Sequence, residues 1–399
     1  MNGTLRSWLL FGLGAWSSAA VAQGPFFDDV TAANLPSGIA GRCMDAAAAD
    51  ADGDGDLDIA LAMEFERNIL LLNDGAGRFA NGSERLPRNV HDSEDVEFVD
   101  LDGDGDLDLF LVSEDDEVNE LYLNDGSARF IDASDRLPVQ GVSNGHAVFD
   151  IDADGDPDLL IGNQGTNRIL INDGAARFVD ATADRWPNDA PTQDLELADV
   201  DADGDLDVIV GNEAQNNLFL NDDGVLVDVT GQRLPAREDE TREIRALDVD
   251  ADGDLDLIVA NVSFVASWPR RDRLLINDGD GFFTDAVEGS LPADDRDHFT
   301  VQAVDLDGDG DSDLITPSSV VRGGAGDYRV LLNDGRGRFT EAAPGTILPA
   351  SANGNAFDIE VADFDGDGRD DLFFCNRSSV PNPGAGIASG GQPRLLLRN

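Results

Sequence analysis

The chain has 399 residues, 81 of them acidic against 27 basic, for a formal charge of −54, and every Lys/Arg position is an Arg. Such a charge repels nucleic-acid phosphates and anionic membrane surfaces and favours metal cations. A hydrophobic content of 41% is enough for a sizeable core, and two cysteines exclude both a disulfide-stapled scaffold and a Cys-based metal cluster.

The first element is a targeting segment. Arg6 precedes an apolar stretch from Trp8 to Ala15, and Ala20-Val21-Ala22 forms an A-x-A cleavage site. Residues 1–22 are expected to be a signal peptide and 23–399 a single domain. The apolar run is too short to span a bilayer and none follows it. A secreted, extracellular or periplasmic monomer is expected, without a membrane span and without nucleic acid as a partner.

An acidic nine-residue loop then recurs seven times, starting at Asp50, Asp100, Asp150, Asp199, Asp248, Asp305 and Asp363. After each loop comes an apolar run such as Leu107 to Val112. A second run follows, ending in Asn in six units (NILLLN, ELYLN, RILIN, NLFLN, RLLIN, RVLLN). Next come Asp-Gly or a close variant, a short strand such as Arg129-Phe130-Ile131-Asp132, and Leu-Pro or Trp-Pro. This pattern predicts four short strands per unit of about 50 residues, with no sustained helical periodicity. Repeated four-stranded units predict an all-β fold, a seven-bladed β-propeller. The chain stops at Leu395-Leu396-Leu397-Arg398-Asn399, where other units continue into a fourth strand. Gly24 to Val30 reads as that strand, so the N-terminal strand is expected to complete the last blade and close the ring. A linear solenoid is the alternative, but it would want caps at both ends.

The loops are the candidate metal sites. The side chains concerned are Asp50, Asp52, Asp54, Asp56 and Asp58; Asp100, Asp102, Asp104, Asp106 and Asp108; Asp150, Asp152, Asp154, Asp156 and Asp158; and Asp199, Asp201, Asp203, Asp205 and Asp207. They continue with Asp248, Asp250, Asp252, Asp254 and Asp256; Asp305, Asp307, Asp309, Asp311 and Asp313; and Asp363, Asp365, Asp367, Arg369 and Asp371. Carboxylates converging in a tight Gly-containing turn suit a hard cation, above all Ca²⁺, up to seven in all. The bidentate Glu of an EF-hand is missing, since position 12 is Leu61, Leu111, Ile161, Val210 or Val259. Side-chain ligands are expected from positions 1, 3, 5 and 9 and a backbone carbonyl from position 7. A solvated acidic turn without metal is the alternative.

These loops, the N-D-G-x-x-x-F segment and the strand register resemble the FG-GAP-like (VCBS) repeats, relatives of the integrin α-subunit propeller, over nearly the whole of 23–399. The resemblance implies a seven-bladed propeller with calcium, chiefly structural, in the hairpin between the first two strands of each blade. The family includes adhesion proteins, lectin-like binders and polysaccharide lyases, so fold alone does not settle function.

The opposite face is expected to hold any ligand. Its loops are long in the last three units, at 261–272, 317–328 and 376–393. They carry Trp268, Arg270, Arg271, Arg322, Tyr328 and Arg377, with Arg273, Arg329 and Arg394 at their ends. Cationic forks beside an aromatic platform suit carboxylate- or sulfate-bearing sugars. The alternative is that these Arg residues pair with the protein's own Asp. His91, His146 and His298 each precede a loop by four to nine residues, near the expected channel mouth. They are catalytic candidates for β-elimination from a uronate, or plain rim histidines. Cys43 and Cys375 fall in adjacent units across the ring's join. Export allows a disulfide there, but their unequal offsets from the loops leave a Cα separation too large for one as the alternative. The expected function is a binding or adhesion module for an extracellular protein or polysaccharide. A uronate-specific polysaccharide lyase and a structural envelope or matrix protein are the alternatives.

Overall fold

A computed structural model describes residues 25–186, 190–264, 268–319, 326–377 and 391–399. The expected signal peptide and Arg322 lie outside the described residues. The chain is built of antiparallel strands, and the unit around the second loop shows the plan. Strands His91–Val99, Asp108–Ser113, Glu120–Asn124 and Phe130–Asp132 pair in that order. The second of these, DLFLVS, is buried at every residue, because sheet neighbours cover both of its faces. The fourth buries only Phe130. Burial therefore falls from the second strand outward. Aspartate loops join strands one and two, so strands two and three connect at the opposite end.

The core lies between units. Leu109, Leu111, Tyr122 and Phe130 pack on Ala60, Ala62 and Leu70 of the preceding unit. Phe110, Val112 and Leu121 pack on Leu159, Ile161 and Leu170 of the following one. The first and last units meet in the same way: Ile59, Leu61 and Phe79 share a cluster with Phe364, Phe373 and Leu395. Phe27–Asp29 pairs antiparallel with Arg394–Arg398 through Phe27↔Arg398, the pairing expected of the N-terminal strand. Cys43 and Cys375 form a disulfide across a Cα separation of 5.3 Å, at a sequence distance of 332. Counting residues from the loops misleads here. Cys43 sits just before a register shift at Cys43/Asp45 on a first strand, and Cys375 lies next to the end of a second strand.

That shift recurs in the first strands, at Ser93/Asp95, Ser143/Gly145, Thr192/Asp194, Thr241/Glu243 and Ala356/Asp358. A bulge adds a residue and re-aims the next side chain. Sequence periodicity also misses five helical turns among the described residues, at Thr31–Asn34, Ser83–Arg85, Ser134–Arg136, Thr182–Arg185 and Thr230–Arg233. They are too short to carry a period. Their hydroxyls cap the third strand: the N–H groups of Leu70, Leu121, Ile169 and Leu218 donate to Ser83 Oγ, Ser134 Oγ, Thr182 Oγ1 and Thr230 Oγ1 at 3.0–3.2 Å.

Candidate functional site

Each aspartate loop is wound by its own carboxylates. Asp50 accepts the N–H groups of Asp54 and Gly55, and Asp54 accepts that of Asp56, at 3.0–3.1 Å. The Gly at position 6 stands at a left-handed φ of +95° in the first loop, which a side chain would strain. Position 9 is a buried anchor. Asp108 takes the N–H of Asn124 on Oδ1 at 2.8 Å and of Leu101 on Oδ2 at 3.1 Å. Asp158, Asp207, Asp256, Asp313 and Asp371 repeat this pair of bonds. Burial pushes Asp58 and Asp108 up to about 7 against those hydrogen bonds. Position 7 points away from the loop centre: a Cβ on Gly75 or Gly126 would lie 2.5 Å from Asp56 or Asp106. The glycine of the N-D-G turn is thus set by the aspartate across from it.

Donors converge in these loops. Asp50, Asp52 and Asp54 bring one oxygen each within 4.8 Å of one another, as do Asp100, Asp102 and Asp108, Asp150, Asp152 and Asp158, and Asp199, Asp201 and Asp203. Position 3 leaves a buried Oδ1 without a partner in five loops, at Asp52, Asp102, Asp152, Asp201 and Asp250. Buried carboxylate oxygens normally find a donor, so these donor sets fit a hard cation. In the last loop Arg369 pairs with Asp367 of the same loop, Nε to Oδ2 at 3.0 Å, and a guanidinium has no lone pair to give a metal.

Two residue types that sequence reasoning passes over tie the loops together. The Asn ending the third strand reaches two loops at once. Asn124 Nδ2 donates to Leu107 O of its own loop at 2.9 Å and to Ala51 O of the preceding loop at 2.8 Å. Asn73 Nδ2 makes the same bond to Phe364 O of the last unit at 2.9 Å. The second is the Arg before Leu-Pro or Trp-Pro. Arg233 Nη1 lies 3.1 Å from Asp201 Oδ2 and 2.7 Å from Asp280 O of the next unit. Arg85 and Arg185 bridge Asp52 and Asp152 to the next unit in the same way. Its recurrence two residues before the proline in four units, at Arg85, Arg136, Arg185 and Arg233, was the available signal. Replacing Asn124 with Ala strands two carbonyls and is expected to cost about 2–4 kcal/mol in urea unfolding. A loss below ~0.5 kcal/mol would refute this linking role.

A cavity runs along the first strands. Its section toward the face opposite the loops holds about 210 Å³ and is lined by Asp45, Asp95, His146, Asp194, Glu243, Arg245 and Asp358, with Phe299 and Phe357. A second section of about 520 Å³ adds Glu97, Glu196, Gln302 and Glu360. The bulges aim these acids inward, where they bond the next first strand. The N–H groups of Val96, His146 and Ile244 donate to Asp45, Asp95 and Asp194 at 2.7–3.0 Å, and Val301 N–H donates to Glu243 at 2.8 Å. With Glu94 and Arg242, which also line the first section, nine carboxylates face three cations. His146 lies with Nδ1 2.9 Å from Asp95 and Nε2 3.2 Å from Glu97. Burial works against its charged form, but those two carboxylates outweigh it and push the imidazole up to about 10. Arg245 pairs with Glu243 and lies 3.4 Å from Glu196. Burial raises Asp194 to about 8 and Glu360 to about 7.

Asp194 therefore contributes stability that is present below pH ~4, where the unfolded carboxyl titrates, and is lost as pH rises through its folded value of about 8. Asp194→Asn keeps the acceptor for Ile244. Its stability relative to the parent protein is expected to climb between pH 5 and 8. A flat difference across that range would show that Asp194 titrates normally.

The other candidate residues are dispersed. Arg270 lies 3.6 Å from Asp297. The backbone carbonyls of Trp268 and Arg271 accept from Ser263 and Asn261. Tyr328 stacks on Phe374 at 4.0 Å and donates to Asn376 Oδ1 at 2.9 Å. Arg377 pairs with Glu64 and covers the Phe357 ring at 4.9 Å. Arg273, Arg329 and Arg394 each hold Asp or Glu partners. His91 and His298 pair at 2.6 Å with Asp116 and Asp272, so of the three histidines only His146 lines the cavity. The aromatic surface at the mouth comes instead from Phe299, stacked on Phe357 at 4.1 Å and 6.2 Å from Phe264, with Arg242 over Phe264 at 5.4 Å. Phe299 and Phe357 lie just before or at the start of first strands, where no repeat motif marks them.

Comparison with known proteins bears on the fold. The chain matches structures of BBS1N in complex with ARL6DN (TM-score 0.55, 12% identity, 94% of this chain and 95% of that one). It matches the extracellular domain of the putative hybrid two-component system BT4673 from B. thetaiotaomicron (TM-score 0.54, 12% identity, 93% of this chain), where it spans 39% of that chain. An Agrocybe aegerita lectin that recognises non-reducing terminal N-acetylglucosamine matches over 74% of this chain and 78% of that one, with a TM-score of 0.49 and 19% identity. No curated protein matches the sequence. The FG-GAP-like repeat matches residues 50–111, 100–161, 150–210, 199–259, 263–316 and 319–374. These stretches cover most of the molecule, and the chain belongs to the FG-GAP-like repeat family.

Proposed function

We propose that the protein is an exported β-propeller of seven blades, closed between its first and last units, that works as a binding module with Ca²⁺ as a structural ion. Support for the ring is the pairing of Phe27–Asp29 with Arg394–Arg398 and the Asn73 bond to Phe364. Support for calcium is the unpartnered position-3 oxygen in five loops. Positions 1 and 3, with 5 or 9, would hold the ion, which would neutralise carboxylates that otherwise repel one another. The disulfide suits an oxidising compartment. Among the described residues no helix is long and apolar enough to cross a membrane.

The observation that carries the binding role is the cavity whose mouth is walled by Phe299 and Phe357 and whose interior is ringed by acids. Aromatic walls with a few convergent polar groups characterise ligand sites. The acid ring disfavours uronates and suits a neutral or amino-bearing glycan, or a basic segment of a protein. It also weakens the lyase reading, since a His146 held protonated between two carboxylates cannot serve as a general base at neutral pH. The test is calorimetric titration of the calcium-loaded chain with neutral, amino and uronate polysaccharides, alongside ultraviolet detection of unsaturated uronate. Binding of a neutral or amino glycan that Phe299→Ala weakens at least ~10-fold is the expected result, about 1.4 kcal/mol. Unsaturated uronate formation would replace this reading with the lyase.

A further inference from the structure

We propose that Asp92, Glu114 and Asp115 form a divalent-cation site on the face opposite the aspartate loops. One oxygen from each of the three lies within 4.8 Å of the others. Asp92 is the second residue of a first strand and is 1% exposed. Glu114 and Asp115 stand on the turn between the second and third strands of the same unit. The backbone sets their places: Glu114 N–H donates to Asp92 O at 3.1 Å, and Asp115 N–H donates to Asp92 Oδ2 at 2.9 Å. Asp92 Oδ1 is buried and has no partner.

The unit does not leave its other buried carboxylates in this condition, since Asp108 has a donor on each oxygen. Glu120, also 1% exposed, accepts from Ser93 Oγ and Asn68 Nδ2 at 3.1 Å and from the Tyr122 hydroxyl. Among the described residues no cation pairs with Asp92. Arg42 and Arg377 pair with Glu64 and His91 with Asp116, while Arg242 pairs with Glu213 through Nη2 and its charge acts on Glu114. A buried carboxylate oxygen with neither donor nor counter-ion is costly, and two further carboxylates beside it raise that cost. A cation removes both defects at once. Oxygen-only donors select a hard ion such as Ca²⁺, Mg²⁺ or Mn²⁺. The residues matching Asp92 are Arg42, Val142, Pro191 and Asn355 in the first, third, fourth and seventh units and Glu240 and Asp297 in the fifth and sixth, so an acid here is not a constant of the repeat. It rests on none of the aspartate loops.

The test is anomalous diffraction from crystals of the full chain soaked in MnCl₂, with the same soak on Asp92→Asn. Asn keeps the acceptor for Asp115 and removes one charge. The exposed-side double variant Glu114→Gln/Asp115→Asn covers the case in which Asp92→Asn folds poorly. A manganese peak between the three side chains, lost in either variant while any loop peaks persist, is the expected result. Loop peaks without this one would overturn the site and leave the calcium reading intact. This peak without loop peaks would uphold the site and overturn the calcium reading. No peak anywhere would overturn both.

Discussion

Excess chelator is expected to lower the unfolding temperature of the full chain at neutral pH by more than ~10 °C, and to do so as one cooperative transition. A ligand that binds only the folded state adds about 2.7 kcal/mol when its concentration is a hundred times its Kd. Two such sites reach about 5 kcal/mol, against a total domain stability of about 5–15 kcal/mol. At roughly 2–4 °C per kcal/mol, that already gives the stated shift. Cooperativity follows from the links between loops. Asn124 joins loops one and two, Asn172 joins loops two and three, and Asn333 joins loops five and six, each by carbonyl bonds at 2.8–3.2 Å. Emptying one loop frees carbonyls that its neighbour also uses. Differential scanning calorimetry with calcium and with chelator decides the point. An unchanged transition would mean that the position-3 oxygens are met by water and that the loops fold without metal.

The last loop is the exception within that expectation. Its Arg369 carries a cation into the loop on Asp367, in place of the aspartate found at position 7 in the other loops. Calcium should therefore bind there more weakly, and Arg369→Asp should strengthen it. Isothermal titration before and after the change reads the difference, and equal affinities would show that Arg369 swings clear.

The repeat was legible because it is local and frequent. Seven copies of alternating Asp, each followed by an apolar run and six of them by N-D-G or N-D-D-G, specify strands and hairpins through short-range chemistry. Features that depend on neighbouring units were not legible. The Asn of N-D-G reads as a turn residue, yet its side chain bonds a loop some 70 residues earlier in sequence. The acids at Asp45, Asp95 and Asp194 belong to no sequence motif, and only the bulge just before each turns it toward the next first strand. The Arg residues of the long loops read as a cationic ligand surface. In the structure Arg270, Arg377 and Arg394 have Asp or Glu partners, as a chain with threefold more acids than bases would lead one to expect.

Removing the disulfide is the second large effect. Cys43→Ala/Cys375→Ala is expected to cost about 2–5 kcal/mol in calcium-loaded protein. The bond closes nearly the whole chain, with 332 residues of separation, so in the chain-entropy account its restraint on the unfolded state is near the upper end for any disulfide. In the folded state it ties a first strand of the first unit to a second strand of the last, inside the cluster of Leu61, Met63 and Phe373. The same seam holds the Phe27–Asp29 pairing and the Asn73 bond to Phe364. Deleting 23–29 should therefore couple with the cysteine change, and the double loss should differ from the sum of the single losses by more than ~0.5 kcal/mol. Urea unfolding of the four proteins measures both quantities, after mass spectrometry has shown that neither thiol alkylates without reductant. Free thiols in the native protein would remove the premise. Strict additivity would mean that the first and last units are joined at separate places rather than along one shared seam.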